Sequence, residues 1–364
     1  MEESFLKKKK VEEEDKKKRG LFFVIGKRMK NGRLLFLLVA FLLTLVGLSA
    51  STYAWFTSNF TVSVQEIEVN VSSGSGIQIS TNATDWKSLV TLTDITTNKY
   101  AAAVNQVPAS ASQMNPVSTV KSAYAEATTK SQGLKMYRGT ITNSVVDGTM
   151  YLNSTELADS NEGNNDYIAF DLFVKLDFST AKQVYLTPET GIIAGSPNTH
   201  IEYAGRMGFV VQGNAPSSTS ASGLQDLKGA TNVLIYEPNF DVHTPNGIQN
   251  ANNNYPYAVD GVTLTETGNA NPTVYYGVKS AFAYDETSES TGVPLGSTDS
   301  NKFEVVTPDI TTAAGNTTRT SFLTLQPGVT KIRVYMWVEG QDVDCENNAS
   351  GGQVKFNLGF TVDQ

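Results

Sequence analysis

The sequence predicts an all-β chain: an antiparallel β-sandwich with long polar loop insertions, preceded by an N-terminal apolar helix. Three observations predict it. Apolar residues alternate with other residues at period 2 in segment after segment from residue 61 to the end. No window of twelve or more residues in that stretch carries a convincing 3.6 period, and regular βα alternation is absent. The connections are rich in Ser, Thr, Asn and Gly, as in sandwiches with decorated ends.

The elements follow in order. Residues 1–33 hold 12 Lys/Arg and 6 acids, a charged n-region. Leu34 to Ala50 (LLFLLVAFLLTLVGLSA) then runs for 17 residues without a charge. A basic segment before an apolar run is the pattern of a secretory signal. The competing reading is an uncleaved membrane anchor, and 17 residues at about 1.5 Å each fall slightly short of a bilayer core. Met29 offers an alternative start with ordinary signal proportions. The predicted organisation is a cytoplasmic n-region at 1–33, a signal or anchor at 34–54, and an extracellular sandwich at 55–364.

Thr61 to Val71 (TVSVQEIEVNV) alternates through Val62 and Val64, then slips phase before Ile67, Val69 and Val71. A β-bulge near Gln65-Glu66 absorbs the extra residue. Short helices are open at Ala101 to Val104 and at Val120 to Ala127. Asp166 to Phe178 puts Ile168, Phe170, Leu172, Val174, Leu176 and Phe178 on one face, and leaves a mixed face opposite. Shorter strands are expected at Gly76 to Ser80, Gln183 to Thr187, Gly208 to Gln212, Asn232 to Glu237, Thr273 to Val278 and Ser321 to Leu325. Val329 to Val338 turns Ile332, Val334, Met336 and Val338 inward, against Lys331, Arg333, Tyr335 and Trp337. Pro327-Gly328, between the last two, predicts a hairpin. Gln353 to Asp363 closes the chain with Val354, Phe356, Leu358, Phe360 and Val362 on one face.

Charge and composition narrow the function. Beyond Arg33 the chain holds 16 basic and 30 acidic residues, so the body stands at −14. Such a surface is soluble and repels nucleic acid. One cysteine excludes an internal disulfide framework and the common cysteine zinc sites. His200 and His243 lie in no zinc-protease or triad motif, and no phosphate loop or dinucleotide fingerprint is present. Catalytic residues and a cofactor are therefore not expected. One acidic cluster is singled out for metal. Asp342, Asp344 and Glu346 repeat the spacing of the first three ligand positions of a calcium loop. Asn347 stands where that loop has Gly, so a solvated hairpin turn is the alternative. Tyr255, Tyr257, Tyr275 and Tyr276 beside Asn-rich segments admit sugar or protein binding, or ordinary strand packing.

The junction Thr52-Tyr53-Ala54-Trp55-Phe56-Thr57-Ser58-Asn59, directly after the apolar run, resembles that of SipW-type signal-peptide secreted proteins. These form the TasA and camelysin-like family of Gram-positive bacteria. Trp337 to Cys345 is similar to endings of secreted proteins with the same signal. Together the motifs cover about a tenth of the chain, which departs from the family in size and in its polar insertions. The resemblance implies cleavage between Ala54 and Trp55 by a signal peptidase, and a jelly-roll-like sandwich. It further implies a secreted or surface location and, in fibre-forming members, assembly by pairing an N-terminal strand with the next subunit. The donor-strand residues here would be Trp55, Phe56, Val62, Val64, Ile67, Val69 and Val71. An edge strand is a pairing template, and strand addition gains backbone hydrogen bonds. The expected function is a structural surface protein, a biofilm-matrix fibre subunit or a related envelope protein. A carbohydrate- or host-binding module and a camelysin-like metallopeptidase are the alternatives.

Overall fold

The computed structural model describes residues 62–72, 76–108, 113–122, 133–158, 165–196, 198–229, 232–252, 275–285, 293–294, 299–312, 315 and 319–362. All belong to the larger of the two units into which the chain divides, Tyr53–Gln364. The apolar run, the Ala54–Trp55 junction, Phe56, Tyr255 and Tyr257 lie outside the described residues, as does most of Val120 to Ala127.

The strands in chain order begin with β1 (Ser63–Val71), β2 (Ile77–Ser80), β3 (Leu89–Thr91), β4 (Met136–Asn143) and β5 (Met150–Leu157). Next come β6 (Ile168–Leu176), β7 (Lys182–Leu186), β8 (Gly191–Ala194), β9 (Gly205–Ala215), β10 (Asn232–Tyr236) and β11 (Tyr275–Val278). The last are β12 (Val293–Pro294), β13 (Phe303–Val306), β14 (Thr320–Leu325), β15 (Gly328–Val338) and β16 (Gln353–Val362). Three short helices interrupt them: α1 (Leu92–Thr96), α2 (Ala221–Gln225) and α3 (Pro245–Asn252).

Two main sheets carry the fold. The first has the order β14-β7-β16-β1-β3, with β8 also on β16; the second runs β10-β9-β15-β6-β2. Inward residues of both meet in one core, including Ile67, Val69, Phe356 and Phe360 from the first and Phe170, Leu172, Phe209 and Val334 from the second. The all-β expectation holds, and the strong strands fall where period 2 places them. Every ladder between these strands is antiparallel except one: β1 runs parallel to β16, from Ser63 opposite Gln353 to Val71 opposite Phe360. The register shifts between Val64 and Glu66, so Gln65 is the extra residue of the expected bulge.

Three expectations fail for physical reasons. The Pro327-Gly328 pair does not close a hairpin. β14 belongs to the first sheet and β15 to the second, so this turn carries the chain between sheets. Gly328 takes φ +110, and a side chain there would run into the Ala215 carbonyl. Ala101 to Val104 forms a turn without a helix, since its apolar side chains follow no helical stripe. The insertions are not mere decoration either. The sheets β12-β5-β4 and β11-β13 form a further layer on the outer face of the second sheet. There Met136, Tyr137, Tyr275 and Phe303 join Tyr335 and Trp337 in a second apolar cluster.

β15 is buried along all 11 residues, Tyr335 and Trp337 under this layer and Lys331 and Arg333 beneath Tyr100, Val104 and the α2 segment. Their charges are paired internally. Arg333 Nη1 donates to Asp171 Oδ1 at 3.1 Å, and Lys331 Nζ donates to the Gln225 carbonyl at 2.7 Å. Burial pushes the Asp171 carboxyl up, but Arg333 and Lys331 outweigh it and hold the group below the usual carboxylate range. Trp337→Ala should cost about 3–5 kcal/mol, the range for an aromatic truncated in a core. Urea unfolding midpoints measure this; a loss below about 0.5 kcal/mol would mean that Trp337 is a surface residue.

Candidate functional site

The chain's chemistry gathers beyond the end of β15. The strand leads into Glu339-Gly340-Gln341-Asp342-Val343-Asp344-Cys345-Glu346, of which Glu339, Gln341, Asp342, Asp344, Cys345 and Glu346 are all buried. Arg206, second residue of β9, reaches them from the neighbouring strand. Glu237 follows β10, Tyr275 opens β11, and His243 and Thr244 precede α3. Period 2 alone cannot anticipate this meeting, because the partners come from segments up to 140 residues apart.

Arg206 organises the first half of the site. Its Nη2 pairs with Glu237 Oε1 at 2.6 Å and also with Asp342. Its Nη1 donates to the Tyr203 and Gly205 carbonyls at 3.0 and 2.8 Å, and its guanidinium lies 5.2 Å from the Tyr275 ring centre. Burial opposes the charge, but Glu237 and Asp342 outweigh it and hold the guanidinium firmly protonated. Glu339 accepts from Trp337 Nε1 and from the Gln341 backbone N–H, both at 3.1 Å.

His243 organises the second half. Its Nδ1 lies 2.7 Å from Asp344 Oδ2, while Asp344 Oδ1 accepts from the Thr244 N–H at 2.8 Å and its hydroxyl at 3.0 Å. Thr244 Oγ1 also lies 3.2 Å from Glu346 Oε1. Gly247 permits the approach, because a side chain there would collide with Asp344. Buried polar atoms without a hydrogen-bond partner concentrate here: Arg206 Nε, Glu237 Oε2, His243 Nε2, Tyr275 OH and both side-chain polar atoms of Gln341.

Each described residue singled out by sequence has a place. Asp342, Asp344 and Glu346 share this buried site rather than a solvated turn, but they face Arg206, His243 and Thr244. Among the described residues no three His, Cys, Asp or Glu side chains stand where they could hold a metal ion. His200 lies 3.6 Å from Glu202, apart from the His243–Asp344 pair. Cys345 is buried, and burial pushes its thiol well above the ordinary value. Tyr275 is buried and Tyr276 half-buried. Val64, Ile67, Val69 and Val71 fill the core from β1, and Val62 just before it does so from a bridge to Met114. Sequence reasoning missed Arg206, Glu237 and Thr244. The one available signal was a charged Arg206 entering an otherwise apolar strand, GRMGFVV.

Carboxylates outnumber cations in this site, and burial raises several of them. It lifts Glu339 to about 7 against the hydrogen bonds from Ser118 and Trp337, and lifts Glu346 to about 7 against the bond from Thr244. Glu237 and Asp344 are raised as well, again by burial. No protein-family model matches this chain, and neither a curated protein nor a solved structure matches it.

Two outcomes are expected. Glu339 and Glu346 bind protons more tightly folded than unfolded, so their contribution is full below the ordinary 4.5 and is lost as pH rises through about 7. Melting temperature should fall between pH 5 and pH 8, and Glu339→Gln should shrink that difference; an unchanged difference contradicts the assignment. Asp342→Ala leaves Arg206 one of its two carboxylates, whereas Arg206→Met leaves both Glu237 and Asp342 buried without a cation, so Arg206→Met should cost about 3–5 kcal/mol by chemical denaturation and Asp342→Ala less.

Proposed function

We propose that the chain is a secreted structural protein of the cell surface or extracellular matrix, a fibre subunit whose sandwich is a jelly-roll-like variant. The observation that carries this reading is the position of β1. The first strand of the described chain is an inner strand, held between β16 and β3, and its parallel ladder joins residues nearly 290 positions apart. The segment after it reads Ser72-Ser73-Gly74-Ser75-Gly76, a run of small residues only. An identical strand from another copy would make the same ladder and fill the same core, which is the energetic basis of strand exchange. The junction at Thr52 to Asn59 and the acidic, Thr- and Asn-rich body support export and a surface life. Signal peptidase during export and further copies of the same chain are the partners this reading requires; a membrane association requires the apolar segment to stay uncut. Calcium at Asp342, Asp344 and Glu346 would need those carboxylates to leave their present partners.

Glu66 and Lys355 face each other across the ladder, with their charged ends 3.4 Å apart on the surface. Chains carrying E66C and chains carrying K355C, unfolded together, refolded and oxidised, should form disulfide-linked pairs if β1 exchanges. The native thiol at Cys345 is buried and does not compete. If only the E66C/K355C double variant closes, within a single chain, β1 stays at home and the fibre reading fails.

A further inference from the structure

Five buried polar atoms in the Arg206 half of the site have no hydrogen-bond partner in the protein: Arg206 Nε, Glu237 Oε2, Tyr275 OH, and Gln341 Oε1 and Nε2. None of the four residues is more than 4% exposed. Polar atoms at such depth are nearly always hydrogen-bonded, because one left alone gives up its hydration for nothing. The Gln341 amide is the extreme case, with its oxygen and its nitrogen both unanswered.

The four residues come from different segments that meet here. Arg206 lies in β9, Glu237 follows β10, Tyr275 opens β11, and Gln341 lies beyond β15. Their other contacts bring them together. Arg206 Nη2 is 2.6 Å from Glu237 Oε1, on the same carboxyl as the unpartnered oxygen. The guanidinium lies 5.2 Å from the Tyr275 ring centre. The Gln341 N–H donates to Glu339 Oε1 at 3.1 Å, and Glu339, Arg206, Glu237 and Asp342 all act electrostatically on the Tyr275 hydroxyl.

The five atoms select their occupant by chemistry. Arg206 Nε and Gln341 Nε2 only donate, Gln341 Oε1 only accepts, and a phenol does both. Burial pushes the Tyr275 hydroxyl well above its ordinary value, so it keeps its proton. Burial also raises the Glu237 carboxyl, and an occupant able both to donate and to accept serves Oε2 with a proton or without one. A metal cation would be repelled by the Arg206 guanidinium and has no use for the donors. An anion would meet Glu237, Glu339 and Asp342. A small neutral molecule that donates and accepts suits all five atoms. Water is that molecule, and at about three hydrogen bonds per buried water the set calls for about two.

We propose that Arg206, Glu237, Tyr275 and Gln341 form a binding site for internal water, a hydrogen-bonded joint between the third layer and the second sheet. β11 brings Tyr275 from the layer, while β9, β10 and β15 bring the other three from the sheet. The joint is independent of β1 exchange and of fibre assembly, and uses none of the same residues.

A high-resolution crystal structure of the protein is the first test. Ordered water should lie about 2.7–3.2 Å from Glu237 Oε2 and from the Gln341 amide. In solution, oxygen-17 magnetic relaxation dispersion detects water held for longer than the protein takes to tumble. Y275F/Q341M should remove about one such water, because Arg206 Nε and Glu237 Oε2 remain to hold another. Should the double variant not fold, Y275F alone serves: its crystal structure should keep water at Glu237 and Gln341. A site in which these five atoms bond directly to other protein groups overturns the proposal, as does relaxation dispersion indifferent to Y275F/Q341M. An occupant with oxygen ligands at about 2.3–2.6 Å would reassign the site to a cation such as calcium and overturn it too.

Discussion

The rest of the structure depends on the burial of the second sheet from both sides. Its inner face meets the first sheet, and its outer face meets the layer built by β4, β5, β11, β12 and β13. β15, at the centre of that sheet, therefore has no face left for water. Every charge on it, or delivered to it, must find a partner inside the protein. Arg333 and Lys331 find Asp171, Trp337 finds Glu339, and Arg206 from β9 finds Glu237 and Asp342. Removing one member of such a group leaves a buried charge alone, whereas the intact group holds one register among many apolar alternatives.

The same constraint builds the acidic site. The connection from β15 to β16 leaves from a buried strand end and folds back over it, so its carboxylates are buried. Segments before α3 and after β10 close over it. The excess of carboxylates over cations is eased because burial raises several of them, Glu339 and Glu346 to about 7. The site behaves as a structural knot tying β9, β10, β11 and the last connection together. The β1–β16 ladder does comparable work for the chain's ends. It joins the first and last described strands, so the core is complete only when a first strand, from whichever copy, is in place.

Much of the fold was legible in the sequence. β6, β15, β16 and β1 lie where alternation puts them, and the phase slip at Gln65-Glu66 is a real bulge. The partners of those strands were not legible. Pro327-Gly328 has hairpin chemistry, yet it crosses between sheets, because turn residues specify a local change of direction and not which sheet follows. Asp342, Asp344 and Glu346 were visible as an acidic spacing. Their burial was not, since a solvated turn and a buried knot share the same local sequence.

The sequence by itself determined the all-β class, the places of the long strands, the bulge in β1 and the sign of the body's charge. These follow from period 2 and from composition, which are local or additive properties of the chain. Only the tertiary structure decided that β1 runs parallel to β16, that Tyr335 and Trp337 face a third layer while Lys331 and Arg333 are covered by other segments, and that Arg206 and His243 meet the last acidic turn. Those are choices among distant segments. They rest on which surfaces cover one another, and alternation along a single strand carries no record of what lies above its second face.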